Sequence, residues 1–329
     1  MSGDWDWLVC PPVNLAQPRL GTRVIAASDD FFAAKERLID PGEPVFIAGK
    51  YDANGKWMDG WESRRRRGPG HDHCIIRLGA PAILQSAEID TRHFTGNYAP
   101  AAAIDLCRSE AEIPPENAWR SALPVTPLAG DSRKFVTLPE QMAATHVRLN
   151  IYPDGGVARL RLFGRPVFDP AAVEGEIDLA AMETGGWPVA CNDAHFGAVA
   201  NLIAPGRGRD MGDGWETRRR RTPGHDWAIL ALACPGEVTQ LLIDTAHFKG
   251  NYPDRISVQA AHAPGKPAEL LVPESLYWPG LLPETPVGPD AEHRFTDALA
   301  ALGPVTHVKL NLHPDGGVSR LRVLGRPAL

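Results

Sequence analysis

The sequence predicts an all-β chain, a tandem pair of antiparallel jelly-roll β-sandwiches, and three observations carry that expectation. Four blocks recur in the same order in the two halves. The most regular block alternates apolar and polar residues with period two, and 31 prolines leave few windows for amphipathic helices.

DGWESRRRRGPGHD (59–72) is matched by DGWETRRRRTPGHD (213–226), and IDTRHFTGNY (89–98) by IDTAHFKGNY (243–252). THVRLNIYPDGGVARLRLFGRP (145–166) is matched by THVKLNLHPDGGVSRLRVLGRP (306–327), and 36 of 46 positions are identical across these three pairs. SDDFFAAKERLI (28–39) matches NDAHFGAVANLI (192–203) more weakly. The offsets are 154, 154, 161 and 164, so each half is one complete unit. The expected domains are residues 1–170 and 171–329, divided near VFDPAAVEGEID (167–178).

Within a unit, Phe31 to Leu38 is the clearest short amphipathic helical window. Trp61 to Arg67 is read as extended. His73–Leu78, Ile83–Asp90 and Ala102–Cys107 are strand candidates, with partners Trp227–Leu232, Val238–Asp244 and Ser257–Ala261. In the closing block Val147, Leu149 and Ile151 alternate with His146, Arg148, Asn150 and Tyr152, and Pro153-Asp154-Gly155-Gly156 supplies a turn before a second alternating run. That pattern is a hairpin with one buried face.

Composition narrows the functional classes. No apolar run reaches the ~18 residues needed to span a bilayer, and MSGDWDWLVC has acids where a signal peptide has a basic start. A cytoplasmic chain with no membrane partner is therefore expected. The formal net charge of −6 argues against sequence-independent nucleic-acid binding. Cys74, Cys107, Cys191 and Cys234 stand opposite alanines in the other half, Cys10 has no counterpart, and no CxxC occurs, which fits free thiols. HExxH, EF-hand, P-loop, GxSxG and dinucleotide signatures are absent. No cofactor and no metal site is expected.

Four consecutive arginines in each half need an account on so acidic a chain. In an extended segment Glu62, Arg64 and Arg66 share one face and Trp61, Ser63, Arg65 and Arg67 the other, so at least two guanidiniums per unit turn toward protein. Such groups need anionic partners. Two readings remain open: an internal network with Glu62, Asp72 or Asp90, and a clamp for a ligand carboxylate. His71-Asp72 and His225-Asp226 follow the turns Gly68-Pro69-Gly70 and Thr222-Pro223-Gly224, at loop ends where sandwich folds carry sites. His93 and His247 precede aromatic-glycine turns. A histidine oriented by a nearby carboxylate is a usual acid/base arrangement, so these histidines, Asp72, Asp226, Glu62 and Glu216 form the candidate catalytic set. A lone repeated histidine is more often a packed, hydrogen-bonded loop residue than a catalyst, and it is the presence of several in one neighbourhood that favours the catalytic reading.

These motifs, MDGWESRRRRGPGHD with IDTRHFTGNY, their repeats, and the closing HVxLNxxPDGGVxRLRxxGRP, resemble the allantoicase family over nearly the whole chain. The opening NLAQPRLGTRVIAASDDFFAAKERLI is similar as well. The resemblance implies two jelly rolls of galactose-binding-like type, hydrolysis of allantoate to ureidoglycolate and urea, and a small-molecule substrate; a homo-oligomer is expected. His73-Cys74 departs from the aromatic pattern of Asp226-Trp227. Allantoate carries one carboxylate and two ureido arms on a single carbon, so Arg64, Arg66, Arg218 and Arg220 are the expected carboxylate ligands, and Asn97 and Asn251 amide partners for the arms. Alternatives are a non-catalytic module for a small polar ligand and a hydrolase of another ureide.

Overall fold

One strand of 19 residues organises each unit: Asp72–Asp90 in the first and Asp226–Asp244 in the second. The alternation predicts two shorter strands, His73–Leu78 and Ile83–Asp90. In the computed structural model, which describes residues 7–139 and 142–328, they are continuous. Gly79 lies in the join, where a Cβ would stand 1.7 Å from the Leu20 carbonyl oxygen, so glycine lets the preceding turn press against the strand without breaking it.

The first part of Asp72–Asp90 pairs with Ala143–Tyr152 (Asn150 opposite His73) and with Arg23–Ala27 (Ala27 opposite Cys74). Its second part pairs with Arg159–Pro166 and Arg133–Thr137, both Arg159 and Arg133 lying opposite Asp90. One strand thus serves both layers of a sandwich, and Ala101–Cys107 and Arg120–Pro127 complete seven antiparallel strands. The second unit repeats the register, with Asp226 opposite Leu312 and Asp244 opposite Arg320, in a nine-stranded antiparallel sheet.

The two compact units comprise residues 14–167, and 168–329 together with the segment ending at Val13. Leu8–Val9 pairs with Trp187–Cys191 and so belongs with the second unit, although the sequence reading assigns residues 1–170 to the first. The helical window at 31–38 forms a single-turn 3-10 helix, Lys35–Ile39, that buries Leu38 and Ile39. A seven-residue α-helix, Ala268–Glu274, lies in a stretch where the sequence pattern predicts no element. No helix among the described residues is long and apolar enough to cross a membrane.

Packing brings the repeated blocks to one end of each sandwich. Trp61 and Trp215 are fully buried and donate their indole N–H to the carbonyls of Asp29 (2.8 Å) and Asp193 (2.9 Å). The buried rings of Phe94 and Phe248 press on Gly156 and Gly317, where a Cβ would be 2.1 Å from ring carbon. The Phe of one block therefore requires the Gly-Gly of another. Trp61–Glu62 pairs with Gly156–Val157, and the Gly156 N–H donates to the Asn97 carbonyl at 2.8 Å, so three blocks meet there.

The arginines of the closing block are structural. Arg159, 1% exposed, donates from Nε to the Gly42 carbonyl, from Nη1 to the Asp59 and Ala158 carbonyls, and from Nη2 to the Asp59 carboxylate at 2.8 Å. Arg320 repeats this set with Gly206, Asp213 and Ser319. Each fork ties the loop before the Asp-Gly-Trp motif to the strand behind it.

Candidate active site

The four-arginine run divides into two kinds of residue. Beyond Glu62 the chain leaves the sheet, yet it alternates because alternate residues are pinned. The Arg64 amide donates to Asp29 Oδ1 (2.9 Å) and its Nε to Asp29 Oδ2 (2.7 Å). The Arg66 amide donates to Asp154 (2.7 Å) and its Nη2 to Asp72 Oδ1 (2.6 Å). In the second unit Arg218 is bound in the same way by Asp193, and Arg220 by Asp315 and Asp226. Burial would raise the Asp29 carboxyl, but the Arg64 amide and guanidinium outweigh it and hold the group below the ordinary range.

The arginines expected to hold a substrate carboxylate are therefore occupied by protein carboxylates. Arg65, Arg67, Arg219 and Arg221 are exposed and, among the described residues, have no carboxylate partner. In the second unit Arg218 to Arg221 line a cleft of about 190 Å³ together with Asn192, Asp193, Thr222 and Asp226. The turn glycines Gly70 and Gly224, at φ 110° and 114°, lie against the Arg66 and Arg220 guanidiniums. In both units the Nε of that arginine is buried without a partner.

The structure does not form the His-Asp pairs. Neighbours along a strand point to opposite faces, so Asp72, 2% exposed, accepts from Arg66 and Ser28 Oγ (2.9 Å) while His71 faces the other way. His71 Nε2 lies 3.2 Å from Asn150 Oδ1, and its ring packs on Tyr152. Asn150 Nδ2 donates to Asp105 at 2.8 Å, which turns Oδ1 toward His71 and makes His71 Nε2 the donor. His225 repeats this with Asn311, whose Nδ2 donates to Ser257 Oγ and Gln259 Oε1, and Asp226 accepts from Asn192 and Arg220. Burial first, then the charges of His313 and Lys309, push the His225 pKa down.

His93 and His247 are loop posts. They sit at φ 70° and 72°, and their Nε2 atoms donate to the carbonyls of Pro44 (3.0 Å) and Gly208 (2.8 Å). Neither joins the other candidates.

Glu62 and Asn97, assigned separate roles from the sequence, come together: Asn97 Nδ2 donates to Glu62 Oε1 at 2.7 Å, and Asn251 donates to Glu216 at 2.6 Å. Glu62 is 8% exposed. Burial raises its carboxyl pKa, an effect that the Asn97 amide and then the Lys56 charge only partly offset. A buried carboxyl of raised pKa is a proton donor in waiting.

Asn150, Asn311 and Lys309 escaped the sequence reading, although the repeated Asn at the same place in the closing block signals the first two. Lys309 is 2% exposed, lies 5.2 Å from the Trp227 ring centre, and has no carboxylate partner among the described residues. The first unit has Arg148 at this place, paired with Asp105 and Glu116. Burial lowers the Lys309 pKa to about 8. Lys309→Met is expected to raise stability at pH 7 by up to about 3 kcal/mol. The wild-type lysine is charged in both states below pH 8, so the cost is complete there. It fades as pH rises toward the unfolded value of about 10.4. Thermal melts of both proteins at pH 7 and 9.5 should show the gap narrowing; a gap independent of pH would refute this account of Lys309.

Among the described residues no group of three or more His, Cys, Asp and Glu is arranged to hold a metal ion.

A family model described as an allantoicase repeat matches residues 13–167 and again 177–328. A Burkholderia pseudomallei (strain K96243) protein named "Probable allantoicase 2" is 56% identical over 319 residues, 96% of this chain and 95% of the relative. A "Probable allantoicase" of Pseudomonas aeruginosa (strain UCBPP-PA14) is 51% identical over 320 residues, 96% of each chain. The crystal structure of allantoicase from Saccharomyces cerevisiae superposes with a TM-score of 0.81 at 36% identity, covering 95% of this chain and 92% of that one.

Proposed function

The chain belongs to the allantoicase family, and on that premise we propose a site and a course for its reaction, the hydrolysis of allantoate to ureidoglycolate and urea. The site is the loop end of a unit, where the glutamate of the Glu-Asn pair and the arginine run lie on one segment. The observation that carries this is the division of the run: two arginines are neutralised within the protein and fix the segment, and two are left for a small anion.

In this reading Arg65 and Arg67, or Arg219 and Arg221, take the substrate carboxylate. Ureidoglycolate keeps a hydroxyl on the central carbon, so the bond that breaks joins that carbon to a ureido nitrogen. Asn97 donates to Glu62 Oε1, which leaves the proton on Oε2. Glu62 gives that proton to the leaving nitrogen, urea departs, and the remaining ureido nitrogen shares its lone pair with the central carbon, forming an acyl-imine-like cation. Water adds to the carbon, and the Glu62 carboxylate takes back one proton from it. One carboxyl thus serves as acid and then as base. Burial favours its protonated form at the start, and the new carboxylate stabilises the adjacent cation.

The double substitution Arg65→Gln/Arg67→Gln and its counterpart Arg219→Gln/Arg221→Gln test the anchor. At least one is expected to raise KM for allantoate by about 10- to 100-fold, the loss of one or two charge-assisted hydrogen bonds. Unchanged KM in both would remove these arginines from the site. A cytoplasmic setting is supported by five cysteines, all free. Light scattering after size exclusion reads whether the chain forms the expected homo-oligomer.

A further inference from the structure

The two units differ most at one connection beside this site. Between Ile39 and Asp59 the first unit has 19 residues, where the second has 9 between Ile203 and Asp213. The longer link carries a hairpin, Tyr51–Asp52 paired with Gly55–Lys56. It is tied down on the site side. Asn54 Nδ2 donates to the Phe31 carbonyl at 2.8 Å, Gly55 lies against the Phe32 ring, and the Val45 amide donates to the Asp59 carboxylate at 2.9 Å. Phe46 stacks on His93, and the Lys56 ammonium sits 4.6 Å from the Phe46 ring centre. Phe32 and Ala33, beneath the hairpin, are the residues whose amides donate to the Glu62 carbonyl.

Lys56 is exposed and, among the described residues, has no carboxylate within ion-pair distance. The shorter link of the second unit brings Met211 instead, its sulfur 3.8 Å from Asn251 Nδ2. Glu216 is only half-buried where Glu62 is buried.

Building on the loop-end site, we propose that the inserted hairpin makes the first unit the hydrolytic one, with Lys56 contacting the substrate carboxylate in a way the second unit cannot reproduce. Lys56 charge works against protonation of Glu62 in the free protein. A bound carboxylate offsets that charge, so substrate binding itself favours the protonated form of Glu62. Lys56 is a positioning residue for the acid and a binding residue for the anion.

Urea release by the full chain tests this. Lys56→Met is expected to raise KM for allantoate about tenfold or more, to change kcat by less than about twofold, and to move the alkaline limb of kcat/KM to higher pH. Lys56→Arg should restore both. Glu62→Gln should leave well under half of wild-type turnover. An unchanged KM and pH profile in Lys56→Met overturns the proposal, as does retention of half or more of turnover in Glu62→Gln while Glu216→Gln loses it. That second result leaves the loop-end site standing in the other unit. Full turnover in both glutamine variants removes the site itself.

Discussion

Glu62→Gln is expected to lower kcat for urea release by about 10²- to 10⁴-fold, the usual worth of a positioned proton donor, with little change in KM. Glutamine keeps the shape and can still accept from Asn97, so folding should be preserved and the loss should fall on chemistry. The pH dependence follows from the direction of the shift. Burial raises the Glu62 carboxyl, and Asn97 and Lys56 offset only part of that. The active acid form is complete at low pH and is lost as pH rises through this raised value. Wild-type kcat/KM should therefore fall on the alkaline side of a pKa above the ordinary carboxylate range, and the residual rate of the variant should lack that limb. A limb that survives the substitution would assign the proton to another group.

The second large effect is on stability. Arg320→Met is expected to destabilise the second unit by about 3–5 kcal/mol, since it takes from the buried Asp213 carboxylate its buried cation, the other, Arg209, being largely exposed and 3.5 Å away, and strips hydrogen bonds from the Gly206, Asp213 and Ser319 carbonyls. Arg159→Met should do the same to the first unit through Asp59. The paired change Arg320→Met/Asp213→Leu should recover part of the loss, because it also removes the buried carboxylate that has lost its buried partner. Chemical denaturation read in both units checks this. A loss below about 1 kcal/mol would mean that these forks behave as surface pairs.

The repeat and the sandwich were legible because they rest on period and order, which survive substitution. The need for anionic partners around the arginines was legible too, since an unpaired guanidinium turned toward protein is costly. Which arginines are satisfied was not, because the carboxylates of Asp29 and Asp193 come from the most weakly matched block, at positions 28–39 and 192–203. The His-Asp pairing failed for a local reason. Adjacent residues of extended chain face apart, and His71 immediately precedes Asp72, the first residue of the long strand. The partners of His71 and Glu62, Asn150 and Asn97, lie 79 and 35 positions away and meet them only through sheet register and loop closure. The hairpin by which the first unit differs from the second was visible as a drop in offset from 164 to 154, but an offset does not say what an insertion covers.

The central claim, that allantoate reacts at the loop end beside the Glu-Asn pair, is tested most directly by a crystal structure of the Glu62→Gln chain soaked with allantoate. The account predicts the carboxylate on Arg65, Arg67 or Lys56, with one ureido nitrogen within hydrogen-bond reach of the residue 62 side chain. Allantoate seated instead on the opposite strand face, against His71 and Asn150 or His225 and Asn311, would contradict it.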